Sequence, residues 1–168
     1  QSTCYNLRGL VLEQRGEFKA AVASLKMAVA LDPADGTGRG NLGWLLADMG
    51  AVDEAVPHLR AGISLAPTYA ELYERLSQVY RDAGDEASAR SELEEGLRHG
   101  MSNAEEWNRP RDWHLVARVA RQLGKYKVAD AAERTAVLTR RAEELGANPE
   151  HVIAGPDSGI YRTSEFGE

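Results

Sequence analysis

Cysteine is almost missing from this sequence: Cys4 is the single one in 168 residues. One thiol cannot form an internal disulfide, so a disulfide framework is excluded. The four histidines, His58, His99, His114 and His151, are scattered. None has a partner at zinc-ligand spacing, so neither a metal nor any other cofactor is expected. No run approaches the ~20 apolar residues of a membrane-crossing helix, so membrane insertion is not expected. Positive charge is in deficit, with 20 Lys and Arg against 26 Asp and Glu and a formal charge of −6. Nucleic acid is therefore not an expected partner, because phosphate recognition needs a clustered basic face. An initiator Met and a leader are also missing, as expected of a segment cut from a longer chain, and a cytoplasmic setting is the corresponding expectation. Aromatic residues make up only 7% of the chain.

What remains is globular in composition, 43% hydrophobic and 27% charged, with Ala, Leu, Glu and Arg common. These are strong helix formers, and they point to an all-α chain. Its order comes from repetition. Compared with itself at an offset of 34, the sequence aligns Gly16, Gly50 and Gly84, then Ala21, Ala55 and Ala89, then Leu25, Leu59 and Leu93. Ala28, Gly62 and Gly96 coincide as well, as do Leu31 with Leu65 and Pro33 with Pro67. Upstream, Gly9 falls with Gly43 and Ser77, and Leu12 with Leu46 and Tyr80.

Each aligned position has a mechanical reading. Gly16, Gly50 and Gly84 sit where one helical pattern ends and another begins, and a left-handed stop suits glycine. Small residues at Gly9, Gly43, Ser77, Ala21, Ala55 and Ala89 let paired helices approach. Leu12, Leu25, Leu46, Leu59 and Leu93 fill the space between them at helical spacing. Pro33 and Pro67 follow the second helix of their repeats, which they cannot continue.

The segment YNLRGLVLEQRGEFKAAVASLKMAVALDP resembles a tetratricopeptide repeat, with Gly9, Leu12, Gly16, Phe18, Ala21, Leu25, Ala28, Leu31 and Pro33 in the family pattern. The segment NLGWLLADMGAVDEAVPHLRAGISLAP repeats it through Leu42, Gly43, Leu46, Gly50, Ala55, Leu59, Leu65 and Pro67. A third copy keeps Leu76, Tyr80, Gly84, Ala89 and Leu93, but ends on His99, Gly100 and Met101. A fourth is degenerate and needs six inserted residues. In it Glu133 replaces the aligned leucine, as suits a terminal repeat whose outer face meets water. The repeats fall at about 2–35, 36–69, 70–103 and 110–145, with an insertion at 104–109 within a longer connector, GMSNAEEWNRP. The resemblance implies an α-solenoid over residues 2–146. Antiparallel helix pairs would stack in a right-handed superhelix around a concave groove, lined by the first helix of each pair. Residues 147–168 have Gly and Pro punctuation and no helical period, so an extended tail is expected. It carries Ile160, Tyr161, Phe166 and acidic residues that could mimic a groove ligand, or it could cap the fourth pair.

Some patterns suggest chemistry without supporting it. Gly38, Gly40 and Gly43 form G-x-G-x-x-G, yet a dinucleotide site needs a preceding strand and a parallel sheet. A loosely wound helix start, the softest stretch of the array, is expected there instead. Asp53-Glu54, Glu94-Glu95 and Arg140-Arg141 read as solvated faces, and no Ser, His and acid set suggests a triad. The chain is expected to be no enzyme.

Function is then expected in the groove. Helical spacing from the repeat places Asn6, Leu10 and Gln14, then Asn41, Trp44 and Asp48, then Arg75 and Gln78, and finally Arg111, His114, Arg118 and Arg121 on its wall. Trp44 is the sharpest of these, a large indole where the repeat core needs none. Some family members hold acidic C-terminal tails of chaperones with two Lys, two Asn and one Arg. Those positions fall here on Asn6, Leu10, Asn41, Glu71 and Arg75; only Asn41 and Arg75 match, and Glu71 opposes a carboxylate. The expected function is a non-catalytic module holding a protein or peptide segment. A self-assembling scaffold, through groove or tail, and a regulatory domain of a larger enzyme are the alternatives.

Overall fold

The computed structural model describes residues 1–146, and the expected tail at 147–168 lies outside the described residues. Those residues form eight helices and no strand. They are α1 (Ser2–Gln14), α2 (Phe18–Leu31), α3 (Gly36–Asp48), α4 (Val52–Leu65), α5 (Ala70–Asp82), α6 (Glu86–Trp107), α7 (Pro110–Gln122) and α8 (Tyr126–Glu144). The chain divides into two compact units, Gln1–Glu92 and from Leu93 onward, with the division inside α6.

Helix ends follow the repeat. Gly16, Gly50, Gly84 and Gly124 all have φ between 72 and 79°. One residue farther on, the backbone N–H groups of Glu17, Ala51, Asp85 and Lys125 donate to Leu12, Leu46, Tyr80 and Ala120 at 2.8–2.9 Å. Each first helix thus stops by the same left-handed turn, which satisfies its last carbonyls. The next helices start with local caps where the sequence supplies them. Asp35 accepts from the Gly38 N–H at 2.9 Å, and Asp85 from the Ser88 N–H at 3.0 Å.

In the first unit, Ala21, Leu25, Leu42, Leu45, Leu46 and Ala55 form one buried cluster, and Leu59, Leu76 and Val79 a second. The glycines at the start of α3 correct the expectation of a loosely wound turn. Gly36, Gly38 and Gly40 are buried in a regular helix. A Cβ on Gly36 would lie 2.9 Å from the Gly62 carbonyl oxygen, and one on Gly40 would overlap Leu72. Gly36 and Gly40 are small because α3 presses on α4 and α5, not because the chain needs a soft bend, whereas a Cβ on Gly38 would meet only the Asp35 side chain.

In the second unit, Leu93, Leu97, Ala104, Val116, Ala117, Val119, Ala120, Ala129 and Ala132 make the core. The connector expected from about residue 100 to 110 is the second correction, since α6 runs through Trp107 and only Asn108 and Arg109 link it to α7. Ala104, fully buried, holds the added turns in the core. The six extra residues of the period therefore lengthen a helix instead of making a loop. Asn108 reverses the chain at φ 45°, a conformation Asn tolerates better than most residues. Its side-chain oxygen accepts from Trp113 Nε1 at 3.0 Å and Thr139 Oγ1 at 3.3 Å. Buried Asp112 accepts from Arg109 Nε at 2.7 Å.

Gly62 tests the close approach of α3 and α4. A Cβ there would stand 2.9 Å from the Gly36 carbonyl oxygen and 3.2 Å from the Gly40 nitrogen, both backbone atoms. On helix propensity alone Gly62→Ala should stabilise by about 1 kcal/mol. Overpacking against backbone should outweigh this, leaving a net loss of about 1–2 kcal/mol in urea denaturation. A stabilised variant would show that the helices do not meet this closely.

Candidate functional site

The first helices of the three pairs in the first unit lie side by side, α1 on α3 and α3 on α5. Their shared face gathers the residues that the helical spacing selected there. Asn41 Nδ2 donates to Asn6 Oδ1 at 3.2 Å, tying α3 to α1. The Arg75 guanidinium lies 5.1 Å from the Trp44 ring centroid, tying α5 to α3. Trp44 is half-buried, so it keeps accessible aromatic surface while its cation–π partner holds one face. Leu10 is half-buried and Gln14 exposed on α1. Gln78 Nε2 donates to Asp82 Oδ1 at 2.8 Å, and its own oxygen accepts from Arg81 Nη1 at 3.5 Å.

Charge is uneven on this face. Partial burial pushes the Asp48 carboxyl above its ordinary value, Arg75 pulls it down, and Asp82 raises it again. Glu13 is shifted the same way, first by burial, with Arg75 lowering it and Asp48 raising it. Glu13 on α1 and Asp48 on α3 therefore share the field of Arg75 on α5. Their desolvation is only partly compensated, which leaves the face negative around an aromatic centre. The Glu13 contribution is absent from the sequence-selected set. Its signal was present, because Glu13 lies three residues after Leu10 and so shares its side of α1.

The other four selected residues share α7 in the second unit. Arg121 forms an ion pair with Glu133, whose other oxygen lies 3.7 Å from His114 Nδ1. Arg111 Nε is 3.6 Å from Asp112, and Arg118 is exposed. The polar residue at Glu133, expected on a water-facing outer surface, instead points across to α7. It sits where the other pairs place a leucine, and it compensates two of the basic groups. Among the described residues no cluster of His, Cys, Asp and Glu could hold a metal, and no helix is long and apolar enough to cross a membrane.

Comparison with known proteins agrees with this architecture. The sequence pattern of the tetratricopeptide repeat matches residues 2–35 and 38–69. The TPR repeat-containing thioredoxin TTL4 of Arabidopsis thaliana is 31% identical over 85 residues, covering 51% of this chain and 12% of that protein. The chain thus spans about an eighth of the length of that curated relative. Among solved structures, MamA is 20% identical with a TM-score of 0.56, over 86% of this chain and 81% of that one. The TPR2B domain of yeast Sti1, in its complex with pHsp70, is 19% identical with a TM-score of 0.58, over 72% and 97%. At these identities the structures share the fold.

The raised carboxyls set a pH dependence with a defined sign. Glu13 and Asp48 hold a proton more tightly folded than unfolded. Stability from this source falls as pH rises from the ordinary carboxylate range, near pH 4, through the raised values, and stays lost at neutral pH. The groups facing Asp48 are Glu13 on α1 and Arg75 and Asp82 on α5. Asp48→Asn should therefore match or exceed the parent in denaturation at pH 7, with the advantage vanishing below about pH 4. A variant less stable at pH 7 than at pH 4, relative to the parent, would show that attraction to Arg75 dominates.

Proposed function

Residues 2–35 and 38–69 are tetratricopeptide repeats in an all-α helical array, and from that premise we propose that the chain is a non-catalytic module that holds a segment of another protein on the α1–α3–α5 face. Repeats of this family serve protein–protein interaction. The repeats at about 70–103 and 110–145 extend the same design within the proposal. The observation that carries the reading is Trp44, a half-buried indole on a helix whose apolar core, Leu42, Leu45 and Leu46, is complete without it. Trp and Arg are the residues most enriched where binding energy concentrates, and Arg75 is held against this one. Arg75 pins the indole through a neighbouring helix, which lowers the entropy lost when a ligand packs on it.

The polar surroundings favour one class of segment. Glu13, Asp48 and Asp82 outnumber Arg75, so a segment bearing Lys or Arg beside an apolar group suits the face better than an acidic tail. The two residues that match the chaperone-tail clamp are already engaged, Asn41 with Asn6 and Arg75 with Trp44. Complex formation with pHsp70 is a property of the Sti1 domain.

A random peptide library displayed on phage and selected on the intact chain tests the proposal. Selected peptides should be rich in Lys and Arg with an apolar neighbour. Trp44→Ala should weaken them by about 2 kcal/mol or more, while circular dichroism shows unchanged helix content. Peptides that bind Trp44→Ala as tightly as the parent would remove the α1–α3–α5 face as the site.

A further inference from the structure

The α1–α3–α5 face is graded along its helix axes. Amides come first, with Asn6 of α1 and Asn41 of α3 joined at 3.2 Å. Leu10 and Trp44 follow about one turn later. Carboxylates come last: Glu13 three residues after Leu10, Asp48 four after Trp44, and Asp82 four after Gln78. Asp48 and Asp82 are the final residues of α3 and α5, and Glu13 is the last but one of α1. These helices lie side by side, so their acidic ends share one rim.

A helix C-terminus is the unfavourable end for a negative charge, because the aligned peptide dipoles already leave it partly negative. Neither α1 nor α3 has a basic residue in its last turn. The nearby cations have other engagements or stand outside the helices. Arg75 lies on the Trp44 ring, Arg81 donates to Ser77 and Gln78, and Arg15 follows α1 as its C-cap. Asp82 accepts from Gln78. Burial and neighbouring charges act on Glu13 and Asp48 without any hydrogen bond. Glu71 is the rival acid, in the first turn of α5. There the dipole favours it, and it already has an interaction of its own. It therefore gains less from a cation.

Resting on the reading of this face as the ligand site, we propose that Asp48 is its specificity-determining residue. Asp48 takes the Lys or Arg of an extended segment whose apolar residue lies on Trp44, and Glu13 adds its field from α1. One helical turn carries the face about 6 Å from Trp44 to Asp48. Side chains two residues apart on an extended chain share one side at about 6.5–7 Å. The basic residue therefore stands next but one to the apolar one, and the side chain between them turns to solvent. The segment runs along α3 with its cation at the C-terminal end, where dipole and carboxylates act together.

One random peptide library, selected in parallel on the intact parent, Asp48→Asn, Asp48→Lys and Glu71→Gln chains, tests this. The parent should enrich Lys or Arg next but one to an apolar residue. Asp48→Asn should be no less stable than the parent at pH 7. It should nevertheless bind the most enriched parental peptide about fivefold more weakly, the scale of an exposed ion pair. Asp48→Lys should enrich Asp or Glu where the parent enriches Lys or Arg, a reversal that a merely structural role cannot produce. Asp48 is exposed, so these variants should fold, and circular dichroism checks this. Glu71→Gln should keep the parental preference. If the parent enriches no peptide, the ligand-face reading and this inference fall together. If enriched peptides need Trp44 but keep their Lys or Arg preference on Asp48→Asn, or lose it on Glu71→Gln, the inference alone is overturned.

Discussion

The distance between the two helices of a pair sets everything else in the first unit. At Gly9 an added Cβ would lie 2.6 Å from Leu25 Cγ, and at Gly43 the equivalent atom would lie 2.8 Å from Leu59 Cγ. In each pair a leucine of the second helix fills the gap that a missing side chain leaves in the first. Because the filler lies over glycine, the first helix cannot rotate without losing it. That fixes which residues of α1 and α3 turn toward the next pair and which face outward. The shared face of Asn6, Asn41 and Trp44 is thus a consequence of the crossing. The fourth pair shows the relation under stress. Ala117 and Glu133 take the corresponding positions, and the acid turns to Arg121 and His114, so an ion pair stands where packing stands elsewhere.

The residues that recur were legible in the sequence because their roles are local or strictly periodic. Gly16, Gly50 and Gly84 mark helix ends by backbone geometry alone, and Leu25 and Leu59 mark the core by their place in the period. Residues whose roles depend on one particular encounter were not legible. The extension of α6 rests on Ala104 reaching a core formed with α7 and α8, and nothing in GMSNAEEWNRP distinguishes a buried alanine from one in a connector. The same holds for Asn108, whose oxygen gathers Trp113 and Thr139 from 5 and 31 residues away. Gly36 and Gly40 were read through propensity, which treats glycine as weak helix; packing against Gly62 and Leu72 overrode it. Glu13 was missed because a charged residue on an amphipathic helix defaults to solvent, and only the neighbouring helices reveal its desolvation.

Electrostatics differs between the two sets of sequence-selected residues. In the first unit the Glu13 and Asp48 carboxyls share the field of Arg75, and their shift is led by burial, with Arg75 compensating in part. In the second, Glu133 answers Arg121 and His114, and Asp112 answers Arg109 and Arg111. One face holds unbalanced charge at a stability cost; the other pairs much of its charge internally. Charges held at a cost in the free protein favour a ligand that relieves it, because binding then returns free energy that folding gave up.

The Trp44–Arg75 contact connects that cost to selectivity. A guanidinium stacked on an indole keeps its edge N–H groups available for hydrogen bonds, because the ring occupies only its face. Arg75 therefore holds Trp44 in place, moderates the repulsion among Glu13, Asp48 and Asp82, and still presents donors at the centre of the face. Under the proposed function, an incoming segment would meet an aromatic plane, a central donor and an acidic margin. A purely cationic segment would be repelled at the centre, and a purely acidic one at the margin. As the proposed ligand face, the arrangement would discriminate by pattern and not by net charge, with repulsive elements against both simple alternatives.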